Sequence, residues 1–290
     1  MTDVRHPLVV VVNPRATKCS PARIRGVLAV LDRTHQVTVV HTSTNGVADL
    51  REACRSVGAS AVAVMGGDGT LNHVCCSLVG HGVAVAIVPS GAGDMLARSL
   101  GIPADPFRAV EVLQVGASTP TEVRLAAVRV AGAPERVAIT QVGIGWEAQL
   151  VRWADLRRHV RPAAVRLVAG ALATGGRGKP RFTVRVTEPP STTATSASVQ
   201  LRYPYTRFGP LPLGVRPSPD KSPAVLVIQT GGRATTRRMG AGGVAFTAVA
   251  EEFSVHVDGE LLEPAWSVTV EPAAHVMRFL VDRSRSSPWP

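Results

Sequence analysis

The sequence predicts two domains: an α/β domain on a parallel sheet with helices on both faces, then a mainly β domain of sandwich type. Three observations carry this expectation. Over the first 116 residues, Val-rich apolar runs alternate with helical apolar stripes, the pattern of strands covered on both faces. Past residue 120 the stripes give way to short strands separated by turn residues. The 290 residues are 45% apolar and 18% charged, enough to bury two cores.

The first strand falls at residues 8–12. Ser20 and Pro21 then make an N-cap and first turn for a helix with Ile24, Val27, Leu28 and Leu31 on one face. A strand at 37–40 leads to a second stripe, Leu50, Ala53, Cys54 and Val57, stopped by Gly58. The third strand, 61–65, empties into Gly66-Gly67-Asp68-Gly69-Thr70, and Leu71, Val74, Cys75, Leu78 and Val79 recur beyond it at helical spacing. The fourth, 83–88, meets a second glycine loop, Pro89-Ser90-Gly91-Ala92-Gly93-Asp94, and a helix stopped by Gly101 and Pro103. Asp105-Pro106 opens a further helix through Val110 and Leu113 to Gly116.

These elements place an α/β domain at 1–122, to which the C-terminal residues 275–290 return, and a β-rich domain at 123–274. Strands are expected there at 123–130, 136–141, 182–186, 198–203, 224–229, 253–257, 267–270 and 276–281. One helical interruption spans 147–172, residues 175–180 form a turn, and 187–198 read as a mobile polar loop.

The charge balance, 32 basic against 21 acidic residues for a net +11, suits anionic lipid surfaces, nucleotides or nucleic acid. Nucleic acid is the weakest of these, because aromatic residues do not interleave with the Arg clusters as stacking platforms require. Cys19, Cys54, Cys75 and Cys76 show neither metal spacing nor a disulfide framework, and eight scattered histidines do not indicate zinc. No run approaches the ~20 apolar residues of a membrane span, and a strand begins at once, so a cytoplasmic enzyme is expected.

Chemistry concentrates in the first glycine loop. Glycines let backbone N–H groups approach an anion, and a helix N-terminus adds unpaired donors and a partial positive charge. Asp68 in such a place serves a cation or a water rather than the anion itself. A second glycine loop one strand–helix unit later could close over the same nucleotide. No Lys-Ser/Thr pair follows the first loop, so it is not of Walker type.

The chain resembles the diacylglycerol and sphingosine lipid kinases. Residues 66–70 match the GGDGT nucleotide-binding motif that these share with NAD kinases. Asn13-Pro14 resembles their entry motif, and Gly91 to Gly101 their GTGN-x-x-A-R-x-L-G block. Gly143-Ile144-Gly145-Trp146-Glu147-Ala148 resembles their Gly-x-Gly-Phe-Asp-Ala segment, and Val257-Asp258-Gly259-Glu260 their Val-Asp-Gly-Glu. NAD kinases lack this late Asp-Gly-Glu and the Ala-Arg-x-Leu-Gly helix. Departures stand beside the matches: His73 replaces a Glu, Ala92 a Thr or Ser, and Asp94 an Asn. Most of the acidic turn that holds a structural magnesium in bacterial members is missing at 220–225.

The resemblance implies ATP and Mg2+ as cofactors and a hydroxyl of a lipid or lipid-like alcohol as acceptor. Asn13, Gly66, Gly67, Asp68, Gly69, Thr70, Asn72, Gly91, Ala92, Gly93 and Asp94 would bind the nucleotide, with Asp68 organising the magnesium through water. Asp258 would accept the acceptor's proton, assisted by Glu260. The plain alternative for Asp258-Gly259 is a hairpin turn. Trp146, Leu150, Trp153 and Leu156 beside Arg152, Arg157, Arg158, Arg161 and Arg166 suit the boundary of an anionic membrane, and equally a solvated basic face over a core stripe. A nucleotide-binding member that has lost transfer, or one repurposed for a secondary-metabolite hydroxyl, is the competing class.

Overall fold

The structure is a computed structural model that describes residues 5–43, 49–114, 119–156, 181–186, 191–201, 207–208, 211–212, 225–230, 233–239 and 242–282. The chain divides into two compact units, Met1–Leu125 with Ala274–Pro290, and Ala126–Ala273.

The first unit alternates strands and helices: β1 (His6–Val12), α1 (Pro21–Leu31), β2 (His35–His41), α2 (Leu50–Val57), β3 (Ala61–Gly66), α3 (Asp68–Leu78), β4 (Ala84–Pro89), α4 (Met95–Ser99) and α5 (Pro106–Gln114). The strands are parallel in the order β2-β1-β3-β4. Near the C-terminus, Arg278 and Phe279 pair in parallel with Ala84 and Val85. Strand residues alternate between two covered faces. Leu8, Val10, Val12, Ala63, Met65, Ala86 and Val88 pack with Val27, Leu31 and Val110 of α1 and α5, while α2 lies against β1 and α3 against β3. Val9, Val11, Val62 and Val64, of the opposite parity, are also fully buried.

Local signals set the helix ends. Ser20 Oγ accepts from Arg23 N at 3.2 Å with Pro21 following, and Gly58 closes α2 at φ +68°. The expected loop at 66–70 is shorter than the sequence suggested. Gly67 is the N-cap of α3, so Asp68, Gly69 and Thr70 form its first turn.

The second unit begins inside β5 (Thr119–Val130) and continues with β6 (Arg136–Ala138), β7 (Gln141–Gly145), α6 (Trp146–Leu156), β8 (Phe182–Val186), β9 (Thr192–Ala194), β10 (Ser196–Gln200), β11 (Arg207–Phe208), β12 (Leu211–Pro212), β13 (Val225–Thr230), β14 (Arg233–Arg238), β15 (Val244–Ala248), β16 (Val255–Val257) and β17 (Glu260–Leu261). The chain leaves it inside β18 (Ser267–Val281). Six antiparallel strands, in the order β14-β13-β10-β7-β16-β17, form one sheet. β15 pairs with β8 and with the first residues of β18. Val142, Ile144, Val199 and Ile228 of the six-stranded sheet share one core with Phe182, Val184, Phe246 and Val268. Phe182 stacks edge-on to Phe246 at 6.0 Å and tilted to Phe253 at 5.2 Å.

Several expected elements differ. The strand at 136–141 is two strands, because the N–H groups of Ile139, Thr140 and Gln141 bond to the Asp258 side chain. The polar loop at 187–198 contains β9 and the start of β10, whose five residues are all buried; residues 187–190 lie outside the described part. The strands at 267–270 and 276–281 are one strand, β18, which runs through Pro272. β14 and β15 were not among the expected strands. The first is the polar edge strand Arg-Ala-Thr-Thr-Arg-Arg, and the second buries only Val244 and Phe246. The expected turn at 175–180, helix residues 157–172 and the region at 220–224 lie outside the described residues.

His35, at the start of β2, is buried, and burial holds its imidazole below the ordinary value of 6.5, helped by the neighbouring His6 charge and opposed by the hydrogen bond its ring donates to the Leu31 carbonyl. The unfolded chain therefore takes up this proton at higher pH than the folded one. Stability present above pH 6.5 is expected to decline as pH falls through that value, and His35→Gln should flatten that part of a Tm-against-pH curve.

Candidate functional site

In a parallel sheet whose order runs 2-1-3-4, the crevice opens between β1 and β3, where successive connections leave in opposite directions. Asn13 follows β1 and the first glycine loop follows β3, so both stand at this switch point. Asn13 N donates to Met65 O at 2.9 Å, and Asn13 Nδ2 donates to Thr70 Oγ1 at 2.9 Å. Asn13 Oδ1 accepts from Arg15 N at 3.0 Å. The side chain thus spans the crevice and fixes the first turn of α3.

The second glycine loop is bound to the first by backbone. Ser90 N donates to Gly66 O at 3.0 Å, and Lys18 N donates to Ser90 O at 2.9 Å. Gly67 and Gly91 approach so closely that a Cβ on Gly91 would lie 2.6 Å from the Gly67 Cα, and one on Gly67 would lie 3.0 Å from the Gly91 Cα. A Cβ on Gly66 would meet the Thr70 side chain at 2.6 Å. These glycines are required by contact, not by backbone angle. Gly69 differs: nothing lies within 4 Å of its added Cβ.

Asp68 completes the lock. Its carboxylate accepts from Met95 N at 3.1 Å and Leu96 N at 3.2 Å, so a residue at the start of α3 caps the start of α4. Its negative charge also sits favourably in the first turn of its own helix. Gly67, the N-cap of α3, brings no side-chain acceptor to the first-turn N–H groups. Asn72 lies one turn further in, buried, and accepts from the Cys76 thiol at 3.6 Å. Ala92 is exposed at the tip of the second loop, and Gly93 runs close to Asp68, with 3.1 Å from an added Cβ to Oδ2.

Asp94 explains its own departure from the motif. It holds the left-handed conformation at φ +49°, which Asn and Asp tolerate better than other side chains. One oxygen accepts from Gly91 N at 2.7 Å, and the other pairs with Lys18 Nζ at 2.7 Å. The added charge is neutralised by a lysine that sequence reasoning missed. Its signal was indirect: a buried acid beside a phosphate-type loop needs a cation, and Lys18 follows Asn13-Pro14 by a few residues. Cys19, next to it, has its thiol pushed above the ordinary value by burial, with a Ser90 hydrogen bond opposing, which keeps it protonated near neutral pH.

In the second unit, Asp258-Gly259 forms the two-residue turn between β16 and β17, with Val257 paired to Glu260. Both turn residues have positive φ, +50° and +87°, the geometry for which Asp-Gly is favoured. Asp258 is 5% exposed. Oδ2 accepts from Ile139 N at 2.8 Å; Oδ1 accepts from Thr140 N at 2.8 Å, Thr140 Oγ1 at 2.6 Å and Gln141 N at 2.9 Å. Glu260 pairs with Arg136 at 3.1 Å. Among the described residues, no group of three or more His, Cys, Asp or Glu side chains is placed to hold a metal ion. No described helix is long and apolar enough to cross a membrane.

An N-terminal α/β unit on a mostly parallel sheet, followed by an antiparallel β-rich region, is the fold of the diacylglycerol kinases and NAD kinases. The structure is similar to a diacylglycerol kinase of Bacillus anthracis, with a TM-score of 0.66 at 14% identity over 96% of this chain and 98% of that one. It is similar to an NAD kinase of Archaeoglobus fulgidus solved in complex with ATP, with a TM-score of 0.56 at 15% identity over 96% and 95% of the two chains. A yeast NADH kinase complexed with NADH gives 0.59 at 10% identity over 96% and 84%. Residues 7–126 match the family model of the diacylglycerol kinase catalytic domain, the family that the motifs resemble. An uncharacterized protein of Synechocystis sp. is 29% identical over 98 residues, 34% of this chain and 21% of that protein, so the match spans only a fifth or so of the relative's length.

Two outcomes follow from the loop geometry. Gly91→Ala must push two backbones apart and is expected to cost about 1–3 kcal/mol in urea unfolding, whereas Gly69→Ala should be neutral or slightly stabilising. Lys18→Met leaves the Asp94 carboxylate buried without its cation. With Lys18 partly exposed, the cost is set at about 1–3 kcal/mol, and adding Asp94→Asn to the same chain should recover most of it in a double-mutant cycle.

Proposed function

We propose that this chain is an ATP-dependent phosphotransferase of the diacylglycerol kinase type, moving the γ-phosphate to a hydroxyl of a lipid or lipid-like alcohol. The observation that carries the reading is the backbone contact of Gly67 with Gly91 beneath the uncapped start of α3. Such a cradle fits a polyphosphate, because side chains are excluded where the anion would lie against N–H groups. Asn13, Gly66, Gly67, Gly69, Thr70 and Asn72 would shape one wall, and Gly91, Ala92, Gly93 and Asp94 the other. An ATP-bound NAD kinase with the same fold supports nucleotide use.

ATP would supply the transferable phosphoryl group, and Mg2+ would arrive with it. The absence of a cluster of three ligating side chains among the described residues suits a cation held mainly by phosphate oxygens and water. Asp68, whose carboxylate already accepts two N–H bonds, would reach such a cation through water. The protein's share of phosphoryl transfer is chiefly positioning and charge compensation. Lys18 serves both by cancelling Asp94. Asp258 is assigned the acceptor's proton and Glu260 a supporting role. The net charge of +11 supports contact with an anionic membrane, where a lipid acceptor would reside. Trp153 and Arg152 lie on α6, and the arginines from 157 onward lie outside the described residues.

A second reading keeps the nucleotide and drops the transfer. It is favoured by the four donors on the Asp258 carboxylate, which give that side chain a structural task. Asp258→Asn separates the two. An amide oxygen in the Oδ1 position keeps three of the four donors but sets an NH2 against the Ile139 N–H, a cost of about 1–3 kcal/mol, so transfer is read on protein shown to be folded. Transfer of labelled γ-phosphate to dioleoylglycerol in anionic mixed micelles is expected from the natural chain. It should fall by at least about 100-fold in Asp258→Asn and Asp68→Ala at a temperature where both variants are folded, with Tm lowered in the first by the unpaired Ile139 N–H. Undiminished transfer in Asp258→Asn would move the base elsewhere. ATP binding without transfer to any alcohol would establish the second reading.

A further inference from the structure

One row of the six-stranded sheet brings two unsatisfied polar atoms together under α6. Ser198 of β10 and His256 of β16 each lie directly opposite Gly143 of β7, so all three share one face. That face is the one α6 covers. Ser198 is 5% exposed and His256 0%, and neither Ser198 Oγ nor His256 Nε2 has a hydrogen-bond partner. Buried orphans of this kind are rare in folded proteins and mark a bound water, ion or ligand group. Gly143 makes room for the imidazole itself: a Cβ there would lie 2.1 Å from His256 Nε2 and 3.1 Å from the Glu147 carboxyl carbon, so both side chains converge on this one position. Glu147 Oε1 stands 3.9 Å from Nε2, too far for a direct hydrogen bond.

The chemistry of the occupant follows from the tautomer. His256 Nδ1 accepts from Gly259 N at 3.3 Å, so the ring proton resides on Nε2. A metal ion needs a lone pair on Nε2 and is excluded by that proton. The site instead offers a donor at Nε2, an acceptor at the Glu147 carboxylate and a hydroxyl at Ser198 that does either. A group that both accepts and donates satisfies all three.

We propose that Ser198, His256 and Glu147 form a buried hydroxyl-binding site over Gly143. The occupant is a water or the hydroxyl of an alcohol, and the two are distinguished below. The site is coupled to the Asp258-Gly259 turn, because the imidazole that holds the occupant through Nε2 holds the Gly259 N–H through Nδ1. It stands whether or not the chain transfers phosphate.

A high-resolution crystal structure of the full chain is expected to show an oxygen within hydrogen-bond reach of both His256 Nε2 and Ser198 Oγ. In 15N-histidine-labelled protein, the His256 resonance, assigned by its loss in His256→Gln, should report the Nε2–H tautomer. Ser198→Ala should speed solvent exchange of that proton several-fold. Movement of the resonance on saturation with dioctanoylglycerol makes the hydroxyl an alcohol's; an unmoved resonance with the oxygen present makes it a water's. An Nδ1–H tautomer, exchange unaltered in Ser198→Ala, or Nε2 bonded directly to Glu147 or Ser198 with no oxygen between would each overturn the site. None of these readouts requires phosphoryl transfer, so failure here and failure of the kinase reading are separate results.

Discussion

The contact of Gly67 with Gly91 sets what the rest of the first unit can do. Two loops that leave neighbouring parallel strands meet backbone to backbone, at a separation that admits no Cβ on Gly91 and leaves one on Gly67 crowded. Everything around them holds this approach in place: Ser90 N on Gly66 O, Lys18 N on Ser90 O, and the Asp68 carboxylate on the first N–H groups of α4. The result is a fixed junction of two loops at the carboxyl ends of β3 and β4.

Three aspartates perform the same act in different places. Asp68 caps a helix other than its own, Asp94 ties Gly91 to Lys18, and Asp258 gathers the N–H groups of residues 139–141. Two of them, Asp94 and Asp258, do so from left-handed backbone, which turns the carboxylate back on its neighbours. A short acid is the side chain that can do this. Its charge, though, must be met by donors or a cation, and each of the three is so met. The motif positions therefore carry structural tasks of their own, and any change in turnover on substitution is read beside a measured stability.

The α/β half was legible because its signals are local. Valine runs, glycine stops and the Ser20-Pro21 cap each act within a few residues, and the structure forms the elements they announce. The β half was legible in kind and less so in detail. β14 is a polar edge strand with no apolar alternation, and the break between β6 and β7 is imposed by a side chain more than a hundred residues away in sequence. The same reason hid Lys18 and the Ser198–Gly143–His256 row: their meaning lies in pairing register and loop contact, which no single segment encodes. Glycine was the partial exception. Gly67, Gly91 and Gly143 all stood out in the sequence as motif positions, and in each case the structure shows what their missing Cβ makes room for.

The most direct measurement is a crystal structure of the chain with a non-hydrolysable ATP analogue and magnesium. The triphosphate is expected to lie along the interlocked loops, its oxygens within hydrogen-bond reach of the N–H groups of Gly69, Thr70, Ala92 and Gly93. A nucleotide that binds away from both loops, or loops that must separate to admit it, would contradict the claim that this backbone cradle is the phosphate site.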